Sequence, residues 1–559
     1  MSTRKRYHVN QNHSNASDSN TGRIGTPLST ISQAVELSSA GDLIIVHDGT
    51  YREAVTINKS GTDWKKPIFI RKADSSSSVI IKGSDLVTGW TLHSGNIWKK
   101  RWLVNSQMVF ANSSPLTQIG GTMATSLSLY WQGRTGDTIN DMVAGSFYYD
   151  TVDSMIYVWL PDGSNPNSAT MEVSVREYAL KVDNQKYIEI DGIDVQHSNT
   201  SAVGDFAAVI LQGEHLRINR SNVSSCDFTG VRFDGRLIEL REVYANDCGN
   251  SGMTGSSNLG IRVLDCETNN NNSRSFDTNW MGGGFVIKPN EVVKGLYLWH
   301  HHSKNNDGSG IWVKCPMSVG FSCNGCYVSS NTKNGIHYDR SQVATLQNNI
   351  IYYNNGSGIY LENSSDCMVA HNTIYKNGMY GIAVANNGHA STTDMFVLEG
   401  NVFPTRNNQV QGNLLVENAH DDYRPSWFSN TSAELVMPNP DTATTANPNI
   451  AVFNNCYSDY NIFARDGRDI TYSIGIGGTT HDNLDDWFNA IGFDNSSSEV
   501  TVASLLFVDA NDPATPNLRL TSSSSSAHAY SQKIVEVIRD ADWVARADSS
   551  KCTTGAYEI

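Results

Sequence analysis

The chain has 559 residues, a formal net charge of −15 and only 17% charged residues. This balance argues against nucleic acid or an anionic membrane as the general partner, although a local basic patch can bind an acidic substrate. No apolar run reaches the length of about 20 residues that a membrane-spanning helix needs.

The first six residues are basic, but no apolar stretch follows them, so they do not form a secretion signal. Two locations are therefore open. The protein stays inside the cell, or it is secreted or displayed at the cell surface after removal of a signal peptide.

Nine cysteines are an odd number, and only Cys323 and Cys326 lie close together. One such pair is a weak signal for zinc or redox chemistry. We interpret Cys226 and Cys248 as buried structural thiols, because they lie four residues before Gly230 and Gly252, at the place that asparagine holds in the repeat described below.

Residues 22–57 predict a short helix followed by two strands. Thr26 is the expected helix cap, Pro27 lies in the first turn and Gly41 is the stop. Strands follow at residues 42–46 and 54–57. A helix at this place would cover the open end of a repetitive β-fold, whose first strands otherwise expose an apolar face and unpaired edge.

Residues 105–176 break the rhythm of the chain and predict a small β-rich insertion. Alternating aromatic and apolar residues at 147–150 and 155–160 surround turn residues, which is the pattern of β-hairpins. The insertion either walls one end of a binding cleft or only decorates the fold.

One short phrase then recurs five times, with its glycines 26, 25, 23 and 23 residues apart. A fixed period of this length is typical of stacked repeat proteins. Within each phrase apolar residues alternate, so the first and third places after glycine face inward and the second and fourth face outward. The phrases are Gly284-Phe-Val-Ile-Lys288, Gly310-Ile-Trp-Val-Lys314, Gly335-Ile-His-Tyr-Asp339, Gly358-Ile-Tyr-Leu-Glu362 and Gly381-Ile-Ala-Val-Ala385.

An asparagine stands four residues before each of the last four glycines. Stacked coils can bond identical asparagines to one another along the stack. Together, the period and these asparagines predict an all-β solenoid of parallel strands with about 23 residues per coil. The alternative is a twisted antiparallel β-protein. The asparagines are Asn306, Asn331, Asn354 and Asn377.

The opening segment, with its Tyr-x-Val, Ala-Gly-Asp-Leu-Ile-Ile-Val and Asp-Gly-Thr-Tyr stretches, resembles the entry to right-handed parallel β-helix proteins of the pectate-lyase-like superfamily. The Gly-Ile repeats, residues 505–509 and residues 555–558 support this resemblance over most of the chain. The insertion is similar to one carried by the β-xylosidase-like branch of β-helix glycosidases. The resemblance implies the fold, but that fold hosts lyases, glycosidases, epimerases and phage spikes.

We therefore predict a right-handed parallel β-helix with an N-terminal capping helix and a small β-rich insertion. Residues 1–104 form the cap and first coils, and residues 105–176 form the insertion. Residues 177–470 form the central β-helix with the candidate site, and residues 471–559 form the last coils and a C-terminal cap.

The outward places of the five phrases gather charged and aromatic side chains. Because neighbouring coils lie about 4.8 Å apart, each place forms a column of adjacent side chains. A salt-bridged ladder would explain the charges alone, with Lys314 and Asp339 as an ion pair. The aromatic rings beside them favour a sugar-binding patch. The columns contain Trp312, His337 and Tyr360 at place two and Lys288, Lys314, Asp339 and Glu362 at place four, with Arg340 at the edge.

A longer interval of 32 residues separates Gly252 from Gly284. Long inserts between solenoid strands build binding walls. Arg274 and Trp280 within this insert are therefore candidate substrate contacts.

Two reactions fit the patch. In a polysaccharide lyase, Lys288 or Arg340 neutralises the carboxylate of a uronate substrate and Lys314 removes the proton beside it. His337 or Tyr360 then protonates the leaving oxygen.

In a retaining glycoside hydrolase, Asp339 and Glu362 on adjacent coils are the acid and the nucleophile. In the β-xylosidase-like relatives, the Gly-Ile-Trp phrase is followed by an acid where this chain has Lys314, and a second acid matches Asp339. The first acid is missing here, and β-helix lyases commonly use a lysine or arginine as base. On this ground the sequence favours the lyase.

A third reading is a carbohydrate-binding or spike-type β-helix without catalysis. We expect a polysaccharide or oligosaccharide partner, no nucleic acid, a monomer, and no metal or other cofactor. A calcium ion at Asp339 and Glu362 is a weaker alternative, because hard-cation sites usually gather more oxygens than two.

Overall fold

The computed structural model describes residues 4–121, 130–199, 207–287, 293–314, 319–385, 405–423, 433–437, 456–466, 470–474, 479–510, 512, 515–521, 525–527, 530, 539–542, 544–546 and 552–557. The chain divides into two compact units, residues 1–255 with 266–282 and residues 256–265 with 283–559. The described part contains the α-helices Ile31–Leu37 and Leu484–Ile491 and the 3₁₀ helices Ile139–Asp141, Pro166–Ser168 and Val502–Leu505.

The N-terminal helix lies on the first coils of the first unit and buries Ile31, Ala34 and Val35. Its cap is Thr30, whose side chain accepts a hydrogen bond from the Gln33 N–H, and the helix ends at Leu37. The helix was therefore correctly predicted, but its cap is not Thr26 and its stop is not Gly41. The backbone of Leu28 pairs with His8 and Asn10 in extended form, which keeps the preceding residues out of the helix.

Parallel strands stack in the first unit in constant register. Tyr7 pairs with Ile44, and Ile44 pairs with Ile70, so inward apolar side chains form columns along the stack. The strand bounds are Arg6–Val9, Leu43–Val46, Gly49–Tyr51, Val55–Ile57, Ile68–Lys72, Val79–Lys82, Leu180–Asp191, Asp194–Gln196, Ala207–Ser224, Thr229–Asn246 and Glu267–Asn269, with Ser251–Leu264 shared between the units.

The β-rich insertion forms two small, mainly antiparallel sheets around its own apolar core. Its strands begin at Ser84, earlier than the predicted boundary at residue 105. The hairpin of Thr91–Ser94 and Ile97–Arg101 belongs to these sheets and not to a coil. The remaining strands are Ser84–Leu86, Val109–Ala111, Ser114–Pro115, Thr117–Ile119, Ser146–Asp150, Met155–Trp159 and Met171–Ser174.

The second unit contains the five repeated phrases as successive parallel strands, as the period predicted. Each coil adds one strand to each of three sheets. The site sheet contains Gly283–Ile287, Ser309–Lys314, Ile336–Asp339, Ile359–Glu362, Ile382–Ala385, Leu435–Met437 and Tyr472–Ile474.

The other two sheets of this unit complete each coil. The second sheet contains Val293–Trp299, Val319–Asn324, Gln342–Gln347, Ser365–Ala370, Gln409–Gln411 and Tyr457–Asp459. The third sheet contains His302–Lys304, Tyr327–Ser329, Ile350–Tyr352, Thr373–Tyr375, Leu414–Val416, Ile462–Ala464 and Ser498–Val500.

The last part of the chain covers apolar side chains of the third sheet. Leu505, Leu518 and Tyr557 pack in one cluster with Tyr352 and Tyr375. Two antiparallel pairings lie here, Thr479–His481 with Tyr472–Ile474 and Phe507–Asp509 with Asn517–Leu520. Among the described residues, no helix is both long and apolar enough to cross a membrane.

The predicted asparagine ladder is present and fully buried. Each side-chain N–H donates to the carbonyl oxygen of the next asparagine at 2.8–2.9 Å, from Asn306 through Asn331, Asn354 and Asn377 to Asn418. A second ladder, which the sequence analysis did not identify, links Asn349, Asn372, Asn413 and Asn461 at 2.9–3.1 Å. The described cysteines, including Cys226, Cys248, Cys323 and Cys326, are buried free thiols.

Candidate active site

The two columns of the predicted patch are adjacent in the second unit. Trp312 pairs with His337, and His337 pairs with Tyr360, on three successive strands of the site sheet. In the other column Lys314 pairs with Asp339, which pairs with Glu362. The regular coil length produces this arrangement, because each position of the repeated phrase lies directly beside the same position in the preceding coil.

The three rings of the first column stack on one another. The ring centroids of Trp312 and His337 are 5.7 Å apart with planes inclined by 9°, and those of His337 and Tyr360 are 4.9 Å apart. Trp312 is only 4% exposed, so it is not the open stacking surface that the sequence suggested. Its indole N–H is buried and has no hydrogen-bond partner within the described part of the chain.

Tyr360 ends the stack against a small apolar cluster. It packs on Ala383 and Val436 from the next two strands of the site sheet, together with Tyr380. Packing against residues of the later coils therefore supports the end of the stack formed by Trp312, His337 and Tyr360.

A hydrogen bond joins the two columns. The Nε2 atom of His337 lies 2.9 Å from an Oε atom of Glu362, one coil along. The repeated phrase predicts both residues in the patch but does not predict this pair, because the bond runs diagonally between place two and place four. Stacking between two rings fixes the orientation of the imidazole and hence of the carboxylate.

Asp339 is nearly buried and lies beside two cations. Its carboxylate accepts a hydrogen bond from Arg340 Nε at 3.2 Å and lies 3.9 Å from Lys314 Nζ. Burial raises the pKa of Asp339, and the Glu362 carboxylate raises it further, whereas the charges of His337, Arg340 and Lys314 lower it. The pKa remains above its usual range, so Asp339 keeps a proton to higher pH than an exposed aspartate.

Lys314 is held between an anion and a ring. Besides its ion pair with Asp339, its Nζ lies 5.3 Å from the ring centroid of Trp312. Both contacts restrain the position of the Lys314 side chain. Lys288, the predicted neighbour in the same column, lies outside the described residues.

His337, Asp339 and Glu362 each offer one ligand atom, and these atoms lie within 4.8 Å of one another. One nitrogen and two carboxylate oxygens are fewer donors than Ca²⁺ usually takes. The expectation of no metal therefore stays a prediction, with this trio as the set that a cation would use.

The candidate substrate contacts Arg274 and Trp280 belong to the first unit. Arg274 forms an ion pair with the buried Asp227, donates to Gln118 at 2.5 Å and lies 4.5 Å above the Trp131 ring. Burial lowers the pKa of Arg274 to about 9. These contacts join the insertion to a coil and occupy the guanidinium.

Trp280 stacks on Tyr130 of the insertion with ring centroids 4.3 Å apart. Arg274 also lines a cavity of about 440 Å³ between the insertion and coil turns, with Gln107, Gln118 and Trp131. Substrate contact by Arg274 or Trp280 remains a prediction, and both residues have clear partners inside the first unit.

Known proteins share this architecture. A family described as "Right handed beta helix region" matches residues 283–413. The chain has a right-handed parallel β-helix fold.

A solved structure, the complex of XylC with xylose, matches 99% of this β-helix chain and 98% of its own, with a TM-score of 0.56 and 14% identity. Pectate lyase Pel9A matches with a TM-score of 0.43 and 13% identity over 100% of this chain and 97% of its own. Among curated proteins, the uncharacterized protein YwoF of Bacillus subtilis (strain 168) is 38% identical over 66 residues. That match spans 12% of this chain and 14% of YwoF. The similarity to the XylC structure, at 14% identity, shows the fold alone.

Proposed function

We propose that this β-helix is a retaining glycoside hydrolase that uses Asp339 and Glu362 as its two carboxyl groups. The carboxylate pair carries the proposal. The two groups occupy one outward column on adjacent coils, with ligand atoms no more than 4.8 Å apart. Retaining enzymes need about 5–5.5 Å between their carboxyls, whereas inverting enzymes need about 6.5–9.5 Å.

The chemistry requires one protonated and one ionised carboxyl group. The protonated group donates to the glycosidic oxygen as the bond from that oxygen to the anomeric carbon breaks, and the ionised group forms an ester with that carbon. Water, deprotonated by the first group, then attacks the anomeric carbon and releases the sugar. The raised pKa of Asp339 supports a shared proton in the pair, which titrates as a unit.

The residues around the pair supply orientation. His337 holds Glu362 through its Nε2 atom, and the stacked rings of Trp312 and Tyr360 hold His337. The charges of Lys314 and Arg340 are engaged by Asp339, so we propose a neutral sugar at the reacting position. The xylose bound to XylC, a protein of similar fold, supports a search that begins with pentosides.

A polysaccharide lyase is the second candidate. One observation favours it: Lys314 and Arg340 lie on either side of one outward carboxylate, as a base and a neutralising group would. The same contact opposes it, because Lys314 already lies against the Asp339 carboxylate and the Trp312 ring, whereas a base must reach the proton that it removes. A non-catalytic carbohydrate-binding β-helix is the third candidate. The secreted or cell-surface location of the protein remains a prediction.

A two-readout assay separates these candidates. Purified protein is incubated with aryl glycosides, neutral oligosaccharides and uronate polymers, while reducing ends and ultraviolet absorbance are followed together. Hydrolysis gives new ends without absorbance, and β-elimination gives both because it leaves a conjugated double bond. Binding without either product supports the non-catalytic reading.

Variants then assign the roles. We expect Asp339→Asn and Glu362→Gln each to lose at least about 100-fold in kcat, and the exposed Asp482→Asn to retain activity as a control. Azide should rescue both variants: a glycosyl azide of inverted configuration marks the lost nucleophile, and one of retained configuration marks the lost acid. Full activity of both variants would overturn the hydrolase, and full activity of Lys314→Ala would overturn the lyase.

A further inference from the structure

The first asparagine ladder ends on a buried acid. Asn418 donates its side-chain N–H to an Oε atom of Glu434 at 2.8 Å, and Glu434 is fully buried. Glu434 immediately precedes the strand Leu435–Met437, where the earlier coils have the glycine of the repeated phrase.

Glycine is needed at the earlier coils for a steric reason. A methyl group added at Gly335, Gly358 or Gly381 would approach the ladder amide nitrogen to 3.0–3.1 Å. Glu434 is the first side chain at this place beyond those glycines, and it accepts the hydrogen bond that the next asparagine would otherwise accept. It therefore closes the end of the ladder.

The second ladder also ends on a buried acid, and both carboxylate oxygens of this acid accept hydrogen bonds. Asp494 is buried and accepts hydrogen bonds from Ser458, Asn461 and Ser497 on one oxygen and from the Trp487 indole on the other. Glu434, by contrast, has a buried Oε1 atom that finds no hydrogen-bond partner among the residues that the structure describes. An ionised carboxylate is costly in such a place, because burial removes the water that would otherwise solvate this oxygen.

We propose that Glu434 is a proton-dependent plug: the neutral acid closes the ladder, and loss of its proton loosens the strand Leu435–Met437. This strand pairs with Ile382 and Ala383 of the preceding coil. Val436 of the strand and Ala383 pack against Tyr360, the last ring of the stack that orients His337. Ionisation at the ladder end is thereby transmitted to the candidate active site.

The surroundings of Glu434 set the pH range. Burial raises the pKa of Glu434 to about 7, the negative charge of Glu417 raises it, and Arg465 and the Asn418 hydrogen bonds lower it. Tyr472 also faces this group. In the unfolded chain this carboxyl titrates at its ordinary pKa of about 4.5. The contribution of the neutral acid to the free energy of unfolding is therefore fully present below about pH 4.5, and it is lost as the pH rises to about 7.

Glu434→Gln tests the plug, because glutamine keeps a carbonyl acceptor for Asn418 and cannot ionise. The unfolding temperature of the full chain is measured for wild type and variant from about pH 4.5 to about pH 8. We expect the wild type to lose a few degrees relative to the variant as pH rises through this range. Hydrogen exchange of the strand Leu435–Met437, corrected for intrinsic rates, should rise in the wild type only.

Asp482→Asn, at an exposed position, is the control and should leave the pH dependence of the unfolding temperature between these limits as in the wild type. Parallel pH curves for wild type and Glu434→Gln, with equal hydrogen exchange, would overturn the proposal. If Glu434→Gln fails to fold, Glu434→Asn replaces it as a shorter neutral acceptor. Neither readout depends on catalytic activity, so the outcome is independent of the proposed hydrolase.

Discussion

His337 connects the aromatic column of the site to the carboxylate column. Its ring lies between Trp312 and Tyr360, and its Nε2 atom lies 2.9 Å from Glu362. A hydrogen bond to a charged group contributes about 1.5–3 kcal/mol, which corresponds to about 10- to 100-fold in rate if it acts mainly in the transition state.

Two substitutions of His337 distinguish the effect of its ring stacking from the effect of its hydrogen bond to Glu362. We expect His337→Phe to keep the stack but to lower kcat about 10- to 100-fold and to shift the pH profile, because Glu362 loses its partner. His337→Gln keeps a polar group and should retain more of kcat while lowering the unfolding temperature through the lost stacking. Equal kcat in His337→Phe and wild type would show that the hydrogen bond does not act on the reaction.

At the residue scale, the sequence predicted which side chains meet but not how exposed they are. Period-2 alternation and a constant coil length suffice to place His337 beside Tyr360 and Asp339 beside Glu362. The burial of Trp312 depends on its surroundings in three dimensions, which the phrase does not encode. Arg274 likewise has partners, such as Asp227, that are far away in sequence.

The asparagine ladder is the element that holds successive coils in register. Asn354 receives hydrogen bonds from the side chain and backbone of Asn331, and it donates to Asn377 and to the Val328 carbonyl. Removing its amide leaves several buried groups unsatisfied, and each costs about 1–3 kcal/mol.

We expect Asn354→Ala to lower the free energy of unfolding by about 2–4 kcal/mol in denaturant titrations. The neighbouring Asn355→Ala is the control, since its side chain is partly exposed, and its effect should be within about 0.5 kcal/mol. A similar effect of both substitutions would mean that the ladder adds nothing beyond ordinary packing.

Elements with a strong period were predicted well, and those set by distant pairing were not. The five phrase strands and the first ladder follow directly from regular spacing. The helix start was misplaced because Leu28 pairs with the N-terminal strand, a contact across about twenty residues that local cap signals do not reveal. The second ladder was overlooked because only its first step, from Asn349 to Asn372, keeps the 23-residue period, whereas the next step, to Asn413, spans 41 residues.

On the scale of the whole molecule, each unit buries its strands against their neighbours along the stack. In the second unit the C-terminal segment covers apolar side chains of the third sheet, including Tyr352 and Tyr375. That cover removes an apolar face that would otherwise favour association.

We therefore expect a monomer, which light scattering coupled to size-exclusion chromatography tests directly. The mass should equal that of one chain across a tenfold or wider range of protein concentration. A stable dimer or trimer would contradict this expectation, and a trimer would revive the spike-type reading.

The four-part division predicted from the sequence is only partly comparable with the two compact units. The insertion is a distinct pair of sheets within the first unit, although it begins near Ser84. The predicted end of the insertion at residue 176 lies between the insertion strand Met171–Ser174 and the coil strand Leu180–Asp191.

The ladders also bear on how such a protein can lengthen. Each internal asparagine has an identical neighbour on either side, so one whole coil of 23 residues, such as that between Gly335 and Gly358, offers the same bonds to the coil before and the coil after it. Tandem duplication of a coil-sized segment of the gene would thus add a unit that fits without new contacts. The terminal acids Glu434 and Asp494 are the places where such growth has stopped.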